Sequence, residues 1–176
     1  MRAIVFDQFQ GPLRMETVPD PDPPDDGVVI DVRACGLCRS DWHGWMGHDP
    51  GVSLPHVPGH EFSGVVRDVG NGVTRFSPGD RVTVPFCVGC GRCVPCRDGQ
   101  LQVCLNPFQP GFTAWGSFAE RVAIPHADLN LSRLPEHLDF VSAAALGCRY
   151  VTAYHALVAQ AGLQEGEFLT VFGCGG

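Results

Sequence analysis

Cys90, Cys93, Cys96 and Cys104 form a C-x2-C-x2-C-x7-C run in a stretch broken by Gly89, Gly91, Pro95 and Gly99. No helical or alternating periodicity passes through it, so this segment has no apolar face on which to fold. Four thiols this close can instead converge on one tetrahedral ion, and thiolate softness selects zinc or iron. An iron–sulfur run of the C-x2-C-x2-C kind continues x3-C-P, whereas here the gap is seven and Leu105 follows, which favours a closed structural zinc site. Disulfides are the poorer reading. The chain has nine cysteines, an odd number, and its start, Met1-Arg2-Ala3-Ile4-Val5-Phe6-Asp7, has neither the apolar core nor the cleavage site of a secretion signal. The expected address is the cytoplasm.

The remaining composition excludes two classes. A net charge of −7 does not suit a phosphate backbone, so nucleic acid is not an expected partner. No run of about 18 apolar residues is present, so no membrane span is expected either. All twelve basic residues are arginine, a composition bias with no functional meaning attached.

Twenty-two glycines and fifteen prolines, spread between short β-branched stretches, predict a mainly β fold with short helices. Strands are expected at Arg2–Asp7, Leu13–Val18, Val28–Ala34, Glu61–Val69, Arg81–Val84 and Phe118–Ile124, with a short helix over Arg39–Met46. Beyond about residue 138 the pattern turns helical. Asp139 serves as N-cap for Phe140–Leu146, and Tyr150–Ala161 forms a helix ending at Gly162. Glu167–Phe172 then reads as a buried strand before the glycine-rich end.

A second chemical cluster is dispersed. Cys35-x2-Cys38 opens the stretch Cys35–His43, His60-Glu61 follow Pro58-Gly59, and Cys148 lies far downstream. Singly, these residues read as a redox pair, a packed histidine and a core cysteine. Ser40 and His43, three apart on a short helix, share a face and could pass a proton, although His43 could also be a surface histidine. Asp41 fits a helix N-terminal acid equally well.

Together, the C-x-S-D-x-H block at 38–43, the G-H-E block at 59–61, the four-cysteine lobe, Cys148 and the final glycines resemble the zinc-dependent medium-chain alcohol dehydrogenases. The match runs in the family's order over the whole chain. The resemblance implies a GroES-like barrel over residues 1–150 with a zinc lobe at 87–105. Residues 151–176 would then be a linking helix with the first strand and turn of an incomplete Rossmann domain. It further implies two zinc ions per chain, a structural one on the lobe and a catalytic one on Cys38, His60 and Cys148 with a fourth position open. The Cys2His site of alcohol dehydrogenase is the standard example of that geometry. Glu61 is implied as a carboxylate beside the metal, Asp41 as the acceptor of the other His60 ring N–H, and Ser40 with His43 as the proton relay. NAD or NADP is implied by Gly173, Gly175 and Gly176, the opening of a G-x-G-x-x-G phosphate loop. Arg39 resembles a pyrophosphate contact and Thr152 a residue near the nicotinamide, although Arg39 could equally be an exposed helix residue.

The expected activity is NAD(P)-linked oxidation of a small alcohol, or reduction of an aldehyde or ketone, by a parent chain that is homo-oligomeric at full length. The isolated 176 residues, cut as the nucleotide-binding domain begins, are expected to be inactive. One rival is a polyol or secondary-alcohol dehydrogenase of the same superfamily; such relatives often carry a carboxylate where Cys148 stands. The other is a non-catalytic, zinc-stabilised binding module. Cys35, Cys87 and Cys174 are expected to be buried thiols. His48, His56, His126, His137 and His155 are read as surface or packing residues. Trp42, Trp45 and Trp115 are read as packing, with His48 and Trp115 as further pocket candidates.

Overall fold

The computed structural model describes residues 1–173. The fold is mostly β with short helices. A two-stranded antiparallel pair, β1 (Arg2–Val5) and β2 (Arg14–Thr17), stands beside a five-stranded antiparallel sheet of order β6-β3-β4-β5-β7. Its strands are β3 (Val28–Gly36), β4 (Glu61–Val69), β5 (Arg81–Thr83), β6 (Arg121–Ile124) and β7 (Ser132–Arg133). The helices are α1 (Arg39–Met46), α2 (Val94–Arg97), α3 (Ala127–Asn130), α4 (Phe140–Ala144) and α5 (Val151–Tyr154).

Alternation along the strands builds the core. Val28 and Ile30 of β3, Phe62 and Val66 of β4, Val82 of β5, and Val122 and Ile124 of β6 interlock in one buried cluster. Each such side chain stabilises the fold by about 1.5–3 kcal/mol relative to exposure, so this face fixes the register. In that register Gly36, the last residue of β3, sits opposite Glu61, the first of β4. The sheet therefore delivers the ends of both central strands to one edge. Beyond them, α4 packs on β3 and β4. Asp139 caps it as expected, accepting the Ser142 N–H at 2.9 Å, and Ser63 Oγ donates to the Phe140 carbonyl at 2.6 Å. Arg81 holds the approach to α4 by donating to the carbonyls of Pro135, Glu136 and Leu138.

Three expectations need correction. Residues 118–120 do not continue β6. They turn to β1 instead, where the Ile4 N–H donates to the Phe118 carbonyl at 2.8 Å and Ala3 bridges Ala119. The expected helix at Tyr150–Ala161 is only in part α. Leu146–Tyr150 and His155–Gln160 are π-helical on either side of α5, and Gly162, at φ +64°, ends the run. Glu167–Phe172 is not a strand. A strand needs a neighbour to satisfy its N–H and C=O groups, none of the described strands runs beside it, and Phe168 and Phe172 are almost fully exposed. Gly175, Gly176 and Cys174 lie outside the described residues. Among the described residues, no helix is long and apolar enough to cross a membrane.

Gly59 controls how β4 enters the site. Its φ is +103°, and a Cβ there would lie 2.6 Å from both the backbone nitrogen and Cδ1 of Phe118. Gly59→Ala is expected to cost about 1–3 kcal/mol of folding free energy in urea unfolding. A loss below about 0.5 kcal/mol would show that the entry to β4 can relax around a side chain.

Candidate metal centres and cleft

Cys38 is the N-cap of α1, His60 immediately precedes β4, Glu61 begins it, and Cys148 lies in the π-helical turn Leu146–Tyr150. One donor atom from each lies within 4.8 Å of all the others. Asp41 organises the group. One of its oxygens accepts the Cys38 N–H at 2.9 Å, and the other accepts the Gly59 N–H at 3.1 Å and the His60 Nδ1–H at 3.0 Å. With Nδ1–H donated to Asp41, Nε2 is the ring nitrogen left to face the cleft. That Nε2 is buried and has no hydrogen-bond partner, although the sulfurs of Cys38 and Cys148 lie close by.

The electrostatics agree with a cation between these groups. Burial works against a charged His60 ring, but the Asp41 carboxylate and the two neighbouring sulfurs outweigh it and push its pKa up to about 10. Burial likewise opposes ionising Cys38, but the Ser40 N–H and hydroxyl, with His60, hold its thiol below the usual value. A basic nitrogen without a partner beside an acidified thiol is the pattern a metal ion relieves. The two sulfurs and one imidazole nitrogen fit a zinc ion that keeps a further position open.

Ser40 and His43 line a cleft of about 280 Å³ with His60 and Cys148, and Ser40 Oγ is 3.7 Å from Cys38 Sγ. His43 and His48 face each other through their Nδ1 atoms at 3.0 Å, beside the Trp42 ring. His48 reads in the sequence as a surface or packing residue and a pocket candidate. It is exposed, but also in contact with His43. Arg39 stacks over Trp42 at 4.2 Å and lines a separate, largely apolar cavity with Leu37 and Trp45. Thr152 is exposed on α5, and Gly173 is exposed with φ +80°. Trp115 donates to the Pro55 carbonyl and lines another cavity.

The lobe is organised differently. The sulfurs of Cys90, Cys93, Cys96 and Cys104 also lie within 4.8 Å of one another, and all four thiols are free. Little else is packed there: the cysteines and Leu101 form their own cluster. The N–H groups of Arg92 and Cys93 lower the Cys90 thiol to about 6, while burial and the neighbouring Cys93 sulfur push Cys96 up to about 12. The cluster thus cannot carry four thiolates without a compensating cation, and its donors fit zinc. Asn130 moors the lobe. Its side chain accepts the Gly89 N–H at 2.8 Å and donates to the Gly89 carbonyl at 3.0 Å.

Sequence reasoning missed Asn130 and Arg149. The latter grips Glu61 through two N–H···O bonds, Nε to Oε1 at 2.9 Å and Nη2 to Oε2 at 2.6 Å. Its position directly after Cys148 is the signal that could have flagged it. Cys35 and Cys87 are free thiols in contact with Ser117 and with the Leu101 and Gln102 carbonyls.

These features define a GroES-like β domain with two candidate metal centres. The family model of the alcohol dehydrogenase GroES-like domain matches residues 24–136. The chain belongs to this family, the zinc-type medium-chain alcohol dehydrogenases. An alcohol dehydrogenase of Geobacillus stearothermophilus is 37% identical over the whole chain, and an NAD-dependent alcohol dehydrogenase of Sulfurisphaera tokodaii is 38% identical. In each case the chain spans 52% of the relative's length. Among solved structures, an NAD-dependent alcohol dehydrogenase at 36% identity superposes with a TM-score of 0.87 over 94% of this chain and 49% of its own. The alcohol dehydrogenase of Aeropyrum pernix at 30% identity gives 0.82 over 90% and 48%.

Because so little apolar packing supports the lobe, removing metal with a chelator is expected to release it selectively. Amide exchange over residues 90–104 should accelerate by at least about 100-fold while β3 and β4 stay protected. Equal loss of protection in both regions would show that the lobe and the sheet unfold as one unit.

Proposed function

We propose that this chain is the catalytic portion of a zinc-dependent, NAD(P)-linked alcohol dehydrogenase. The observation that carries the reading is the partnerless, buried Nε2 of His60, placed between two cysteines in a cleft that Ser40 and His43 also line. Cys38, His60 and Cys148 would hold the catalytic metal, and Cys90, Cys93, Cys96 and Cys104 a structural one. A zinc ion in the cleft supplies Lewis acidity, lowering the pKa of an alcohol hydroxyl bound there.

The chain's own residues then divide the work. Asp41 fixes the His60 tautomer and ring orientation through the 3.0 Å hydrogen bond. Ser40 takes the alcohol's proton and hands it to His43, whose contact with the exposed His48 ring leads it to solvent. Phe112, packed against the His60 ring, helps to keep water from the cleft. The substrate would be a small alcohol, aldehyde or ketone, and the free thiol clusters suit a reducing, cytoplasmic compartment.

Arg39 would meet a pyrophosphate, and Thr152, Gly173 and the glycines at 175 and 176 the rest of NAD or NADP. We assign residues 1–150 to the catalytic domain, with its barrel closed through the Ala3–Ala119 bridge, and 151–176 to the start of a Rossmann domain. The apolar, exposed side chains of Phe168, Val171 and Phe172 suit burial against a further domain.

A binding module would share the lobe but have no use for an accessible metal. In the cobalt-substituted chain, imidazole is expected to shift the visible spectrum saturably, with two metal equivalents bound. A silent titration would favour the module. The purified 176-residue chain with zinc, alcohol and NAD or NADP is expected to show no turnover, because hydride transfer needs a positioned nicotinamide. Robust turnover would refute the reading that these 176 residues carry only part of the nucleotide site.

A further inference from the structure

Two exposed imidazoles meet at the end of α1, outside both cysteine-bearing centres. His43 lies in the last turn of the helix. Gly47 follows in the left-handed region at φ +79° and turns the chain back, so that the His48 N–H donates to the His43 carbonyl at 3.0 Å. Glycine suits this turn, since a Cβ there would also stand 3.0 Å from Phe9 Cγ. The turn brings the two side chains together with their Nδ1 atoms 3.0 Å apart. Trp42 packs edge-on against both rings, with centroids 4.8 Å from His43 and 5.6 Å from His48, and Arg39 stacks on Trp42 in turn. The pair faces solvent, but a turn and an aromatic neighbour hold it in place.

We propose that His43 and His48 together bind one divalent transition-metal ion of the nickel or copper type, at a site separate from the two cysteine centres. Two nitrogens 3.0 Å apart, each at the roughly 2.0–2.1 Å of an imidazole–metal bond, subtend about 95° at the ion. That is near the cis angle of a square-planar or octahedral ion, whereas two ligands of a tetrahedral ion would stand about 3.3–3.4 Å apart. Nickel and copper take the former geometry with nitrogen and oxygen donors, and structural zinc the latter. As neutral rings, one Nδ1 donates to the other. For both to bind the ion, the donor ring carries its hydrogen on Nε2 instead, so the ion displaces a hydrogen bond and no net proton. The negative end of the α1 dipole lies at the same turn and favours a cation there. Water fills the remaining positions, because among the described residues no third cysteine, histidine or carboxylate joins the pair in a ligand group. Asp49 lines the same cleft as His43, but its Oδ1 accepts the Gly51 N–H at 2.8 Å. Two imidazoles make a weaker site than a set of thiolates, so this ion exchanges with solution while zinc stays on the cysteines. It would also occupy the route assigned above to the alcohol's proton; that consequence rests on the proposed function, whereas the binding does not.

The test titrates the zinc-loaded, tag-free chain with nickel, followed by tryptophan fluorescence and by equilibrium dialysis with metal analysis. One nickel per chain is expected to bind saturably with no zinc released, and to quench the fluorescence because Trp42 lies against both rings. His43→Gln and His48→Gln should each raise the nickel midpoint at least about tenfold, since either removes one arm of a two-point grip. His137→Gln, an exposed position on the approach to α4, should leave it within about twofold. Unchanged midpoints in both pair variants, an effect of only one of them, or nickel taken up only in exchange for zinc would each overturn the site. None of these readouts requires turnover, so the site can fail while the alcohol dehydrogenase reading stands, and the reverse.

Discussion

Three N–H donors converge on the carboxylate of Asp41, and the geometry of the cleft depends on that convergence. The Cys38 N–H fixes the start of α1, the Gly59 N–H fixes the entry to β4, and the His60 Nδ1–H fixes a ring tautomer. The side chain is itself almost completely buried, so each of these bonds is made in a medium where an unmade one is costly. A single acid thus joins a helix terminus, a strand entry and the orientation of the His60 ring. Loss of the acid would leave Cys38 and His60 near each other, but neither would be aimed.

This convergence was only partly legible in the sequence. The lobe could be read at once, because its four sulfurs are neighbours along the chain and their spacing carries the geometry. The cleft could not be read that way. Cys38, His60 and Cys148 are brought together by the register of β3 against β4 and by the course of α4, and none of that is local. Only their resemblance to a known arrangement united them beforehand. The central strands and α1 were visible because their apolar alternation and turn residues are strong. Glu61–Val69 and Arg39–Met46 have the expected bounds. The π-helical turn that carries Cys148 leaves no trace in residue spacing, since it differs from an α-helix by one residue per hydrogen bond. Arg149 was passed over for the same reason, as its role depends on which way that turn points it.

The two centres also differ in what holds them. The lobe has almost no apolar packing of its own, so a cation bound there would contribute to folding itself, in a class of sites where metal binding is worth about 10–16 kcal/mol. Asn130 ties it to α3 through backbone atoms of a single residue, Gly89, and the Val88–Phe108 bridge gives a second tie. The cleft, in contrast, is assembled by elements that the main core already fixes. Phe62 is buried in that core directly beside Glu61 and His60. Its candidate ligands are therefore held in place by the sheet and would not rely on an ion to be gathered.

That difference bears on what an open site requires. A cation gathered by flexible ligands tends to collect a full set of donors, because nothing prevents the last one from closing in. Three ligands on a rigid frame can leave a position free only if every other nearby donor is restrained. Here the nearby donors are few and each is occupied. Asp41 is spent on three N–H groups, Cys35 lies against Ser117, and Glu61 is gripped by Arg149. The openness of the cleft is thus a property of its surroundings as much as of its ligands. In this chain, hydrogen bonds that hold the fold together would also keep a coordination position free at such a centre.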